Sequence, residues 1–102
     1  MSYSIKLLPI ARSDLRKAKK WYNNQKENLG DEFKIEVNNE IYYIKEHPEH
    51  YQVKYNGLRQ ALVTRFPYAI FYLIEKSKKR IVIFGVLHTS RNPKLVKNRN
   101  ER

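Results

Sequence analysis

Two strongly apolar runs separated by a short charged break occupy the stretch from Val63 to Arg91, and they limit the folds open to the chain. The runs are Ala69–Ile74 and Ile81–Leu87, and the break between them is residues 75–80, with the sequence EKSKKR. Two β-rich runs joined by a short polar segment are typical of an antiparallel hairpin. We therefore predict such a hairpin and treat the rest of the chain as built around it.

Polar and aromatic side chains collect at the ends of this predicted hairpin. Arg65, Tyr68 and Tyr72 enter and follow the first run, while His88 and Arg91 leave the second. We expect Arg65, Tyr68, His88 and Arg91 to converge at one end of the sheet. Such a cluster is either a reactive site or a contact surface.

The N-terminal third of the chain changes from a strand pattern to a helix pattern. Tyr3–Leu8 alternates weakly and ends at Pro9, which predicts a short strand. Apolar residues then recur at helical spacing, with Trp21 beside the stripe: Ala11, Leu15, Ala18 and Tyr22. The other face of this helix is basic and has, on this interpretation, no outward-pointing aromatic ring. We therefore expect it to be an ordinary solvated face rather than a nucleic-acid contact.

A second helix is predicted after a short turn. Gly30 suits the left-handed position that follows a helix, and Asp31 suits the cap of the next one. The second helix then presents an apolar stripe and is stopped by Pro48: Phe33, Val37, Ile41 and Ile44. Helices joined by so short a turn lie antiparallel.

The remaining elements complete one α+β domain spanning residues 1–102. We interpret Glu49–Gly57 as a polar connector and Leu58–Phe66 as a strand, with a bulge or bend at Pro67. The predicted fold is an N-terminal strand, then an antiparallel two-helix hairpin on one face of an antiparallel sheet that a three-stranded C-terminal meander completes. The opposite sheet face is left for solvent or a partner. We expect residues 92–102 to form a basic tail that is at most partly ordered.

Several classes of function are disfavoured by the composition. The chain has no cysteine, which removes thiol catalysis and cysteine-ligated zinc, and its three histidines do not have a helical metal-ligand spacing. We expect neither a metal nor another cofactor. With no apolar run long enough to span a membrane and no signal-peptide pattern at the N-terminus, we also expect a cytoplasmic protein without a membrane partner.

Positive charge is concentrated in the second half of the chain. Residues 1–51 hold nine Lys and Arg against eight Asp and Glu, whereas residues 52–102 hold twelve against two. The net charges of the two halves are therefore +1 and +10, which sum to the +11 of the chain. Such an asymmetry indicates a polyanionic partner, either nucleic acid or an acidic protein segment.

The element order and two short motifs resemble a known family. The motifs are Arg-Phe-Pro-Tyr at residues 65–68, followed by Tyr72, and His-x-x-Arg-x-Pro formed by His88, Arg91 and Pro93. Together they resemble the RelE/ParE superfamily of bacterial toxins, and more closely its ParE branch. The resemblance extends from the first strand to Pro93. It implies a small basic toxin encoded with an acidic antitoxin that wraps and neutralises it, in a toxin–antitoxin hetero-oligomer.

The superfamily implies two alternative activities. Its RelE-type members cut messenger RNA on the ribosome, and its ParE members inhibit DNA gyrase. RelE-type nucleases carry lysines on the second strand and an arginine after the tyrosine that opens the third, whereas this chain has Gln60, Leu62 and Ala69 at the matching positions. This departure favours a binding toxin of ParE type. An mRNA endonuclease that uses Arg65, His88 and Arg91 is the alternative, and a simple nucleic-acid-binding module ranks third.

Partner and target binding is predicted at eight positions in the second half of the chain. They are Lys54, Arg59, Arg65, Tyr68, Tyr72, His88, Arg91 and Lys94.

Overall fold

The computed structural model describes residues 3–91 as two helices packed on a five-stranded sheet, which confirms the predicted α+β fold. In chain order the elements are β1 (Ser4–Leu7), α1 (Pro9–Gln25), α2 (Leu29–Glu46), β2 (Val53–Tyr55), β3 (Leu58–Leu62), β4 (Tyr68–Glu75), a short 3₁₀ turn (Lys76–Lys78) and β5 (Arg80–His88). The predicted basic tail, residues 92–102, lies outside the described residues.

The predicted hairpin is β4 and β5, which lie near the middle of a sheet with the strand order β1-β5-β4-β3-β2. Their antiparallel register runs from the pair Tyr68 and His88 to the pair Glu75 and Arg80, with a bulge opposite Phe71 and Tyr72. The first strand adds a detail that the sequence pattern does not carry, because β1 pairs with β5 in parallel. A parallel neighbour is possible here because the whole helical hairpin lies between β1 and the other strands in the chain.

The prediction of a polar connector at residues 49–57 was wrong, because this segment contains a strand. Val53 pairs with Arg59, so β2 and β3 form a tight hairpin across Asn56 and Gly57, whose φ angles are 48° and 82°. Positive φ at both central positions is the requirement of a type I′ turn, and Asn-Gly is the dipeptide that favours it. A strand of three residues is too short to show an alternation of apolar and polar side chains. The Asn-Gly dipeptide of the turn was therefore the only local feature that could have predicted this hairpin.

Both helices bury the apolar stripes that their spacing predicts. The buried positions are Ala11, Ala18 and Tyr22 on α1 and Phe33, Val37 and Ile44 on α2, with Leu15 and Ile41 partly buried. Tyr22 and Phe33 meet two further aromatic rings, Phe66 in the turn before β4 and Tyr68 in β4, and the centroid separations within this group are 4.9–6.0 Å. This aromatic cluster joins the helical hairpin to the start of β4.

Gly30 has a different role from the one predicted. It is not at a left-handed position after α1 but within the first turn of α2, where Asn28 takes the left-handed conformation with φ 66°. A Cβ atom on Gly30 would lie 2.1 Å from the carbonyl oxygen of Lys19 on α1. The backbone N–H of Gly30 donates to Oδ1 of Asn23 at 2.6 Å, so a side chain of α1 caps α2. Glycine is therefore needed for the close approach of the two helices.

The second sheet face is also apolar, contrary to the expectation of an open face. Six side chains form a second buried cluster there, each at most 6% exposed: Leu58, Ala69, Phe71, Val82, Phe84 and Leu87. The physical reason is visible in β5, whose residues 81–87 are apolar at every position rather than at every second one. Such continuous runs are typical of strands buried on both faces. Neither helix among the described residues is long and apolar enough to cross a membrane.

Candidate functional site

Three of the predicted residues meet where β4 begins and β5 ends. Tyr68 and His88 are paired across the two strands, and their rings pack edge to face at a centroid distance of 5.3 Å. The chain after β5 then turns back, because the N–H of Arg91 donates to the carbonyl oxygen of His88 at 2.9 Å. His88 and Arg91 consequently line the same two grooves at this end of the sheet.

The imidazole of His88 is held by Ser90. The backbone N–H of Ser90 lies 3.1 Å from Nδ1, and the Ser90 hydroxyl lies 2.8 Å from the same atom. Because a backbone N–H can act only as a donor, Nδ1 accepts, and the proton of the neutral ring is on Nε2. In this arrangement the ring offers a donor at Nε2 rather than a free base.

The phenol of Tyr68 is half-buried beneath these groups. Burial raises the pKa of Tyr68, nearby Tyr22 adds to the rise, the positive charge of Arg91 opposes it, and Asp14 raises it further. The hydroxyl therefore stays neutral at physiological pH and is a hydrogen-bonding group rather than an anion.

The backbone of Arg65 lies at this end of the sheet, but its side chain pairs with carboxylates of α2. It lies in the turn between β3 and β4 with φ 72°, and its guanidinium pairs with Glu32 at 2.9 Å and Glu36 at 3.5 Å. The guanidinium carbon also lies 5.4 Å from the ring centroid of Phe66. Of the four residues expected to converge, the structure thus brings together Tyr68, His88 and Arg91.

Two further predicted residues support the chain between α2 and β2. Tyr72 is fully buried, and its hydroxyl donates to the carbonyl oxygen of Pro48 at 2.7 Å. Burial raises the pKa of Tyr72 to about 12, with Arg59 opposing the rise and Glu40 adding to it. Arg59 donates through one guanidinium nitrogen to the carbonyl oxygen of Tyr51. Tyr72 is therefore a core residue, and we leave it out of the contact surface.

The last two predicted residues are Lys54 and Lys94. Lys54 is exposed on β2 and lines an open groove with Gln60 and Leu62. Lys94 lies outside the described residues. Leu62 is itself 58% exposed, so β3 presents a neutral amide and an apolar side chain to this groove.

A groove between α1 and the end of β5, which we call the α1–β5 groove, brings in residues that the sequence pattern missed. Its α1 wall carries Asp14, Lys17 and Trp21, and its volume is about 230 Å³. β1 pairs with β5 only as far as Ile83, and further along the same strand Oδ2 of Asp14 accepts the N–H of Val86 at 3.1 Å. The carboxylate thus fixes α1 to the end of β5.

Trp21 also lies in the α1–β5 groove, and its position corrects the sequence interpretation. The expectation of no outward-pointing aromatic on α1 was wrong, because Trp21 is 56% exposed. It packs edge to face on Tyr22 at 5.1 Å. The sequence feature that could have predicted this exposure is the position of Trp21, next to Tyr22 and at the border of the apolar stripe. A side chain at such a border is partly buried and partly exposed.

No group of three or more His, Asp or Glu side chains suited to a metal ion occurs within residues 3–91.

Comparison with known proteins identifies the family. A family model described as the ParE toxin of the type II toxin–antitoxin system parDE matches residues 5–93. The chain belongs to the ParE toxin family. This span includes every element of the fold and both motifs at the ends of the hairpin. No curated protein sequence gives a significant match.

Solved structures show that this ParE-family chain shares its fold with both branches of the superfamily. The chromosomal ParDE system of P. aeruginosa superposes with a TM-score of 0.74 at 14% identity, covering 85% of this chain and 96% of that one. A mutant of the E. coli toxin RelE in the free state gives 0.68 at 15%, covering 97% and 94%. The RelBE2 toxin–antitoxin complex of Mycobacterium tuberculosis gives 0.61 at 18%, covering 86% and 99%. At these identities the likeness concerns the fold.

Proposed function

We propose that this ParE-family toxin acts by binding and inhibiting a target such as DNA gyrase, in the cytoplasm, as a single domain spanning residues 1–102. The family match supports a toxin, and the composition of the sheet supports binding rather than cleavage. Cleavage of RNA through its 2′-hydroxyl needs a base, a cation at the phosphorane oxygens and an acid for the leaving oxygen.

The observation that carries the proposal is that the side chains of Arg65 and His88 engage different partners. The guanidinium of Arg65 is paired with Glu32 and Glu36 of α2, whereas His88 packs on Tyr68. The Nδ1 atom of His88 accepts from Ser90 and is not available as a base. Two of the three groups that such a nuclease would need at one phosphate, Arg65 and His88, therefore engage different partners.

The sheet surface supports the same conclusion. Gln60 and Ala69 line a small groove with Phe71 and Leu87, two members of the second buried cluster. Apart from His88 and Arg91, the groove is lined by neutral side chains, which supply no charge to stabilise a phosphorane or a leaving oxygen. Arg91 lines this groove as a charged contact, and the exposed Lys54 lines a separate groove that shares Gln60 with it.

Supercoiling of relaxed plasmid by purified gyrase tests the proposal directly. We expect micromolar toxin to reduce supercoiling and Arg91→Ala to weaken the effect, because Arg91 is exposed beside the contact surface. Lys78→Ala is the matched control, since it removes one exposed positive charge from the turn at the opposite end of β4 and β5. Undiminished supercoiling with the wild-type toxin would rule out gyrase as its target.

An mRNA endonuclease is the second candidate, and the shared position of His88 and Arg91 along two grooves favours it. The test is to incubate translating ribosomes with toxin and to map the RNA ends. New ends that disappear with His88→Ala would replace the binding proposal with the nuclease. Absence of new ends, or ends unchanged by His88→Ala, would remove it.

We also propose a cognate acidic antitoxin that forms a hetero-oligomer with this toxin. The similar ParDE and RelBE2 structures are described as toxin–antitoxin systems, and the second half of this chain has a net charge of +10. An acidic segment that folds on binding would pair with exposed cations such as Arg91. Co-expression with the adjacent reading frame should give a complex that co-purifies at moderate salt, and separate elution would contradict the antitoxin assignment.

A further inference from the structure

The α1–β5 groove combines an exposed indole with cations on two walls, an arrangement that target inhibition does not explain. We propose that it binds a short single-stranded segment of nucleic acid, with one base stacked on Trp21 and its phosphates paired with Lys17 and Arg91. The inference does not depend on whether gyrase is the target of the toxin.

Trp21 is held in a way that leaves its ring available. Its neighbour Tyr22 is buried among Phe33 and Phe66, and the indole packs on the Tyr22 ring at an interplanar angle of 83°. More than half of the Trp21 surface nevertheless remains exposed. A rigidly mounted, exposed aromatic ring is the element on which single-stranded bases stack, without regard to base identity.

Two cations, Lys17 and Arg91, line the groove together with Trp21. Lys17 precedes Trp21 by four positions, so it lies on the same helix face, and it is exposed. Arg91 approaches from the opposite wall, after β5. The carboxylate of the groove, Asp14, is engaged with the N–H of Val86 and serves to join the two walls.

The shape of the groove favours a single strand over other polyanions. It is open to solvent and has an apolar floor that includes Ala18, Val86 and Leu87. A duplex keeps its bases stacked on one another and cannot place one on Trp21, whereas a single strand can do so at little cost. An acidic peptide would satisfy Lys17 and Arg91 but would provide no base to stack on the ring. Stacking therefore separates the proposed ligand from a merely acidic one.

Fluorescence gives a direct reading, because Trp21 is the only tryptophan of the chain. We expect oligothymidylate or oligouridylate to quench the emission of the full-length protein, and the two titrations establish whether DNA or RNA is preferred. Poly-glutamate of matched length is the acidic control. Equal quenching by poly-glutamate would overturn the proposal in favour of a peptide site, and absence of quenching by either oligonucleotide would also overturn it.

Variants separate stacking from charge, with binding followed by the anisotropy of labelled oligonucleotide. Trp21→Ala should weaken binding about tenfold and Trp21→Phe less, because the smaller ring still stacks. Lys17→Ala should lower the slope of log affinity against log salt by about 0.7, as expected for one lost phosphate contact with a single strand, while Lys78→Ala at the far turn should lower it less. Unchanged affinity in Trp21→Ala, with the fold verified by circular dichroism, would refute the assignment. Loss of gyrase inhibition has no bearing on this result.

Discussion

Replacing Gly30 with alanine tests how closely α1 and α2 must approach each other. Helix propensity alone favours alanine over glycine, by about 1 kcal/mol at an interior position and at most that much in the first turn, where Gly30 lies. The structure predicts the opposite sign. The new Cβ would lie 2.1 Å from the Lys19 carbonyl oxygen, more than an ångström short of the 3.4 Å at which ordinary contact begins.

The atom that Gly30→Ala would meet is backbone, so the clash cannot be relieved by a side-chain rotation. The two helices must separate, which loosens the contact between Tyr22 and Phe33. Overpacking of this kind costs about 1–3 kcal/mol, and the backbone obstacle places it at the upper end. After the propensity gain is subtracted, we expect a net loss of about 2 kcal/mol, equivalent to a fall in Tm on the order of 10 °C.

Urea denaturation followed by circular dichroism measures this difference in the free energy of unfolding. Asn24→Ala is the control, because it lies exposed on α1 and should change stability by less than about 0.5 kcal/mol. A Gly30→Ala variant as stable as the wild type, or more so, would refute the close-approach argument.

Asn23 allows the same reasoning to be checked by a double-mutant cycle. Its side chain caps α2 through the N–H of Gly30, so Asn23→Ala alone should cost about 1 kcal/mol. The Cγ of Asn23 would also lie 2.7 Å from the new Cβ at residue 30. In the double variant Asn23→Ala/Gly30→Ala, the Asn23 side chain no longer clashes with the new Cβ. The stability losses of the two single variants should therefore sum to more than the loss in the double variant. Strictly additive costs would contradict this coupling.

Two further predictions concern buried hydrogen bonds. Tyr72→Phe leaves the carbonyl of Pro48 without its 2.7 Å donor and should reduce the free energy of unfolding by about 1 kcal/mol. Because burial raises the pKa of Tyr72 to about 12 from the ordinary value of 10.0, the folded state retains a proton that the unfolded state releases. Stability should therefore be at its full value below pH 10 and fall as the pH rises towards 12, less steeply in Tyr72→Phe than in the wild type; equal slopes would exclude Tyr72 as a contributor. Asp14→Ala removes the acceptor of the Val86 N–H and should cost about 1–2 kcal/mol in denaturant titrations. Asp14→Asn keeps an acceptor oxygen and should retain more stability than Asp14→Ala, and the reverse order would argue against the role of this contact.

The two helices followed from side-chain periodicity, because spacing along the chain reports which face each helix buries, and the hairpin followed from two apolar runs around a short polar break. Gly30 shows where that reasoning stops. Its role depends on the distance between two helices, and a glycine beside a turn is equally compatible with a left-handed cap. The short β2 escaped detection because three residues carry no period, although Asn56 and Gly57 specified its turn.

The candidate site was predictable in part for a similar reason. Tyr68, His88 and Arg91 were placed together because adjacent strand ends of one hairpin must meet, which is a consequence of local connectivity. Arg65 is equally close in sequence to the hairpin, yet its partners are carboxylates of α2, an element from another part of the chain. The α1 wall with Trp21 likewise depends on how α1 lies across β5. Contacts between distant elements are set by packing, which a single sequence does not reveal.

The parallel pairing of β1 with β5 has a consequence for the order in which the toxin folds as it is synthesised. The hydroxyl of Ser4 reaches the carbonyl of Lys79, 75 residues later, so β1 leaves the ribosome before β5 and must wait for it before the two strands can pair. Pairings so distant in sequence form late in folding, since they must first overcome the entropy of closing a long loop. His88 and Arg91 follow later still in synthesis. A chain whose translation stops before β5 therefore has neither a complete sheet nor the groove beside it.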